Sequence, residues 1–122
     1  MPRINIIFFQ AEDGSVPFLD WFDSLPIKAQ DKCVVKLERL AELGYELRRP
    51  EADYSRDDIY ELRIGLSGIN YRILYFFSGQ TAAILSHGII KERLVPAKEI
   101  DLAIKHKKIF EKDAARHTYQ EE

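Results

Sequence analysis

Between Ile59 and His87 the chain reads as three consecutive strands, and that stretch commits any fold to an antiparallel sheet. Ile59–Ile64, Asn70–Phe77 and Thr81–His87 are rich in β-branched and aromatic residues. Ser67-Gly68 separates the first pair and Gly79-Gln80 the second, each a glycine-bearing hairpin turn. Taken as two-residue loops, these turns place Arg63 opposite Arg72 and Arg72 opposite His87. Side chains alternate faces with a period of two, so the three share a face with Glu61, and Lys91 joins them if the chain stays extended past His87. The other face then carries Leu62, Ile64, Tyr71, Ile73, Tyr75, Phe77 and Ile84, an apolar surface that a helical layer has to cover.

The flanking segments supply that layer. Ile4–Phe9 reads as a first strand ended by the Ala11-Glu12-Asp13-Gly14 turn. Ser15 is placed to cap a helix with Pro17 in its first turn and Phe18, Leu19, Trp21 and Phe22 along it. Pro26 interrupts it and a second helix follows, with Cys33, Val34, Leu37, Leu40 and Ala41 at helical spacing up to a Gly44 stop. Arg48–Asp58 is polar, contains Pro50 and reads as a loop. Pro96 opens a last helix, Ala97 to about Lys112, with Ile100, Ala103, Ile104 and Phe110 as its stripe. The expectation is one α+β domain over 1–122: an antiparallel sheet of about four strands, packed by an N-terminal helical hairpin, with a C-terminal helix and a frayed tail over 113–122.

Other classes are disfavoured by what the chain lacks. Its single cysteine, Cys33, has no partner for a disulfide and no cysteine cluster for zinc, which suits a reducing, cytoplasmic setting. No signal-peptide pattern opens the sequence, and its apolar runs fall short of the roughly 20 residues that span a bilayer. His87, His106 and His117 have no second ligand at metal-site spacing, and no glycine-rich phosphate loop or nucleophile elbow is present. No metal and no small-molecule cofactor is therefore expected.

The net charge of −2 is low for a phosphate binder, but it hides an asymmetry. From Ile59 to Phe110 eight basic residues face four acidic ones, so an anion site belongs to the second half. Two accounts of the Arg63–Arg72 pair stay open: Glu61 salt-bridges both arginines on a solvated face, or the row binds phosphate through planar guanidiniums. His87 by itself fits a structural role as well as a catalytic one. Lys91 and Arg93 flank Glu92 in a surface charge cluster, and Lys105, Lys107 and Lys108 fit a solvated helix side.

Four strings taken in order, Tyr60-Glu61-Leu62-Arg63, Asn70 to Phe77, Leu85-Ser86-His87-Gly88 to Lys91, and Pro96-Ala97-Lys98 to Lys108, resemble the phage-derived, HigB-like branch of the RelE/ParE toxin superfamily. The resemblance implies a RelE-like fold and a type II toxin that is a metal-independent, ribosome-dependent endoribonuclease acting on mRNA. It implies as partners the ribosome, the messenger and a cognate antitoxin, often a helix-turn-helix repressor. Carried over by position, Arg63, Arg72, His87 and Lys91 would be catalytic, with either Lys91 or His87 as base, and Arg93 and Lys98 would contact RNA. Glu92, where relatives commonly have a second lysine, and Val95, where threonine often precedes the proline, depart from the pattern. Related proteins in the superfamily poison DNA gyrase by binding instead, and an inactive, antitoxin-binding member is a third reading for which Glu92 is the sequence hint.

Overall fold

The structure, a computed structural model, describes residues 3–91 and 94–120. Its elements run β1 (Asn5–Phe8), α1 (Pro17–Asp23), α2 (Ile27–Leu43), β2 (Ala52–Arg56), β3 (Ile59–Leu66), β4 (Ile69–Ser78), β5 (Ala82–Lys91) and α3 (Ala97–Lys112). The class is α+β as expected, but the sheet has five strands in the order β1-β5-β4-β3-β2. The additional strand is β2, inside the segment read as a loop; it pairs antiparallel with β3 through Ala52↔Leu62 and Asp53↔Glu61. Its own pattern is too short and too charged to announce a strand, so the neighbour's open edge decides it. β1 lies parallel to β5, so the sheet is mixed at that edge.

Each face of the sheet has its own core. On one, α1 and α2 cover Leu62, Ile64, Tyr71, Ile73, Tyr75 and Leu85. On the other, α3 covers Ile59, Leu74, Phe76 and Ile84 through Ala103 and Phe110. In α2 the buried positions Ala29, Cys33 and Leu40 repeat at helical spacing, and Gly44 ends the helix at φ +53°. Val34, expected on the buried stripe, is exposed. α1 starts without a side-chain cap, its N-cap being Val16, because the Ser15 hydroxyl and N–H both donate to Asp13. As far as it is described, the expected frayed tail is instead tied down: Tyr119 N–H donates to the Phe8 carbonyl, Phe9 bridges Thr118, and His117 is buried with its Nδ1 bonded to the Gln10 carbonyl.

The two hairpins behave differently. Ser67-Gly68 is a two-residue turn with both φ values positive, and Arg63 stands opposite Arg72 as read from the sequence. The second turn holds three residues, since Ser78 pairs with Ala82. A bulge then opposes Leu74 and Tyr75 to His87 and Leu85, leaving Ser86 as the extra residue. Arg72 is therefore opposite Ile89, not His87. The two slips add to an even number, so His87 and Lys91 return to the face that carries Arg72. Ile84, between turn and bulge, has felt only one slip and lies on the α3 face, opposite to expectation.

Candidate active site on the α3 face of the sheet

Where β3, β4 and β5 run side by side past α3, the polar residues of that face collect. Arg63 is held on two sides: its guanidinium donates to Glu61 at 3.0 and 2.8 Å and to Asp53 at 3.2 Å. Asp53 also takes Arg49 at 2.9 Å. Glu61, only 7% exposed, turns its second oxygen to Arg72, whose Nε is 4.0 Å away. Arg72 donates from Nη1 to the Tyr71 carbonyl, while its buried Nε has no hydrogen-bond partner among the described residues. Lys91 closes the row one diagonal step from Arg72.

The expected salt bridges from Glu61 to both arginines thus form, tight and hydrogen-bonded to Arg63 and a looser 4.0 Å ion pair without a hydrogen bond to Arg72. Among the described residues, four cations, Arg49, Arg63, Arg72 and Lys91, surround two carboxylates, Asp53 and Glu61, an excess of two positive charges. Burial pushes the Arg72 guanidinium below its ordinary value, and Arg63 adds to that while Glu61 opposes it. Lys91 is lowered in the same way, by burial first and then by Arg72 and Arg63, against Glu61. A lysine so placed gives up its proton more readily than a free one.

His87 sits on this face but is spoken for. It is buried, its Nε2 lies 3.0 Å from Glu99 of α3, and its Nδ1 lies 2.8 Å from the Ser86 hydroxyl, which in turn meets His106 Nδ1 at 2.7 Å. With His87 neutral, as its burial favours, and the Glu99 carboxylate as acceptor, one proton assignment satisfies every contact: His87 Nε2–H donates to Glu99, Ser86 donates to His87 Nδ1, and His106 Nδ1–H donates to Ser86. The bulge makes this possible by presenting two successive residues, Ser86 and His87, to α3. Sequence reasoning missed Ser86, Glu99 and His106; the available signal was that Glu99 and His106 lie two turns apart on the face of α3 that carries Ala103 and Phe110. Lys98 is exposed in the first turn of α3, and Arg93, like Glu92, lies outside the described residues. Among the described residues no group of three or more His, Cys, Asp and Glu side chains is placed to hold a metal ion, and no helix is long and apolar enough to cross a membrane.

The buried histidines set an acid limit on stability. Burial, with His87 and Lys105 nearby, pushes His106 down to about 4, and burial also lowers His87 against the pull of Glu99. An unfolded histidine titrates near 6.5, so below that pH the unfolded chain binds more protons than the folded one. Stability is then complete above about pH 6.5 and declines towards pH 4, with His106 alone expected to cost about 2 kcal/mol by pH 4.5. Urea midpoints at pH 7.5 and 4.5 measure this, and His106→Gln is expected to flatten the decline. Equal midpoints at the two pH values for the parent protein would refute it.

Comparison with known proteins follows the same residues. The profile of the family described as phage-derived protein Gp49-like matches residues 20–108, from α1 through most of α3. Two relatives, each named "Probable endoribonuclease HigB1", come from Mycobacterium tuberculosis strains CDC 1551 / Oshkosh and ATCC 25618 / H37Rv. Each is 30% identical over 106 residues, covering 86% of this chain and 83% of the relative.

Proposed function

From the premise that the chain belongs to the phage-derived Gp49-like family of RelE- and HigB-like toxins, we propose that it is the toxin of a type II toxin–antitoxin pair, an endoribonuclease that cuts messenger RNA on the ribosome without a metal. The observation that carries this reading is the convergence of Arg63, Arg72 and Lys91 on one face, with a buried Arg72 Nε that no described residue hydrogen-bonds. Glu61 meets Arg72 only as a 4.0 Å ion pair with no hydrogen bond, so the arginine keeps charge with which to attract a phosphate.

The chemistry needs only what these side chains offer. The 2′-hydroxyl of the nucleotide attacks the adjacent phosphate, its proton passes to the neutral form of Lys91, and the 5′-oxygen leaves, taking a proton from solvent. Negative charge grows on the non-bridging oxygens during attack. Arg63, fixed by Glu61 and Asp53, and Arg72 hold donors at that charge before it forms, which is where preorganised donors act most strongly. Because cations occupy the place a divalent ion would take, the scheme needs no metal. His87 serves by position: tied to Glu99 and Ser86, it anchors α3 over the strand that ends in Lys91. A chain of net charge −2 draws in little RNA at long range, so the ribosome supplies alignment of the messenger with the site, and an antitoxin, of helix-turn-helix type, silences the toxin by covering the site.

The test is expression in cells without an antitoxin, together with incubation of the purified protein in a translating extract. Growth arrest and messenger cut only while translation runs are expected. Intact messenger with inhibited gyrase supercoiling would replace this reading with the gyrase-binding one, and unaffected growth with intact messenger would leave an antitoxin-binding protein without activity.

A further inference from the structure

Beyond the β2 edge, on the far side of Asp53 from Arg63, lies a cavity of about 430 Å3 whose walls include Tyr45, Arg48, Arg49, Asp53, Tyr54 and Tyr60. Two of its tyrosines are unusual in being held at both ends while half in water. The Tyr45 ring stacks on Phe77 at 3.7 Å and its hydroxyl donates to the Gly79 carbonyl at 3.0 Å, yet the residue is 48% exposed. Tyr54 meets Tyr60 edge-on at 5.2 Å and its phenolic oxygen accepts the Asp58 N–H at 3.1 Å, yet it is 51% exposed. Tyr60 continues the array inward onto Tyr75 and Phe77.

We infer that this groove, which opens on the α1–α2 side of the sheet beside the β2 edge, is a stacking subsite for an unpaired base of single-stranded RNA, on a strand that continues round that edge to the phosphate held by Arg63 and Arg72 on the α3 face. The inference deepens the function proposed above, from which it takes RNA as the polymer. Rings already immobilised by the fold lose no further rotamer freedom when a planar ligand settles on them, and stacking on such rings accepts any base. The cations match a phosphate backbone. Arg48 is exposed and forms no ion pair with the described residues, and Arg49 shares the Asp53 carboxylate with Arg63, at 2.9 and 3.2 Å. Asp53 of the edge strand therefore links the groove on one side of the sheet to the arginine row on the other, and Arg49 and Arg63 flank the path that an extended strand takes round the edge. Tyrosines that only roofed the core would need neither their hydroxyl tethers nor an arginine beside them.

The experiment uses a short fluorescently labelled 2′-O-methyl RNA, which lacks the nucleophilic hydroxyl and stays intact, and reads its affinity for the whole protein by anisotropy. Tyr54→Ala is expected to weaken binding by about tenfold, within the range for loss of one stacked base, while Tyr54→Phe, which keeps the stacking face and loses only the tether to Asp58, is expected to fall between the alanine variant and the parent. An abasic oligomer of equal length should bind the parent protein about as weakly as the base-bearing one binds Tyr54→Ala. Should Tyr54→Ala fail to fold, Tyr54→Leu keeps apolar cover on Tyr60 without a stacking face and is expected to show the same loss. Equal affinities of parent and Tyr54→Leu, equal affinities of base-bearing and abasic oligomers, or no binding by the parent would each overturn the subsite. The nuclease reading fails separately: if the parent cuts no messenger in a translating extract but the Tyr54-dependent binding is seen, the subsite stands and the cleavage assignment falls.

Discussion

Arg72→Ala is expected to slow messenger cleavage by about a hundredfold or more, the range seen when one preorganised donor to a developing oxyanion is removed, while the protein stays folded. Arg72 is the informative member of the row because the fold asks little of it. Its fixed tie is a single hydrogen bond to the Tyr71 carbonyl, and Glu61, 4.0 Å away, keeps its 2.8 Å bond to Arg63 when Arg72 is gone. Arg63→Ala is a poorer probe. It strips the hydrogen-bond donor from the buried Glu61 and leaves Asp53 to Arg49 alone, so lost activity would be mixed with lost stability. Arg72→Lys retains the charge but not the planar fork and is expected to fall between parent and alanine. Rates in a translating extract, set beside urea midpoints that move by no more than about 1 kcal/mol, separate chemistry from folding. An alanine variant that cuts as fast as the parent removes the arginine from the mechanism.

The largest stability effect is expected at Gly88. A Cβ built there overlaps the indole of Trp21, which α1 presses onto β5 and which also packs against Phe18 and Tyr71. Gly88 follows the Ser86-His87 bulge directly, so relief requires either lifting α1 or shifting the strand that holds α3 through Glu99 and His106. Both routes disturb a core, and Gly88→Ala is expected to cost about 3 kcal/mol, or roughly 10 °C of thermal midpoint in a domain of this length. The double variant Trp21→Phe, Gly88→Ala is expected to recover part of the loss, since the smaller ring leaves room for the methyl group, and the two changes should be non-additive. A Gly88→Ala protein as stable as its parent would mean that α1 does not seat on β5 as described.

Particular elements show how far reading by residue reached. The first hairpin was legible because Ser67-Gly68 specifies its own turn and carries Arg63 and Arg72 to one face. Strand β2 was not, since Asp53 and Arg56 lend it no period and only the unpaired edge of β3 draws it in. The shared face of Arg63 and Arg72 was legible, whereas the register of the third strand was not: a longer turn and a bulge each moved it by one, and His87 and Lys91 rejoin the arginines because the two shifts cancel. The polar link from Glu99 through His87 and Ser86 to His106 was hidden, because it needs α3 laid across the sheet at one height.

Alternation along each strand is a property of the local backbone, and the amino-acid order therefore determined unaided that Arg63 and Arg72 share one face of the first hairpin while Leu62, Ile64, Tyr71 and Ile73 go beneath the N-terminal helices. Register, the fifth strand and the role of His87 were decided only in three dimensions. A one-residue shift of a strand costs little locally, and the choice among registers falls to contacts far apart in the chain, such as Gly88 against Trp21 and Ser86 against His106, which exist only once α1 and α3 have closed on opposite sides of the sheet.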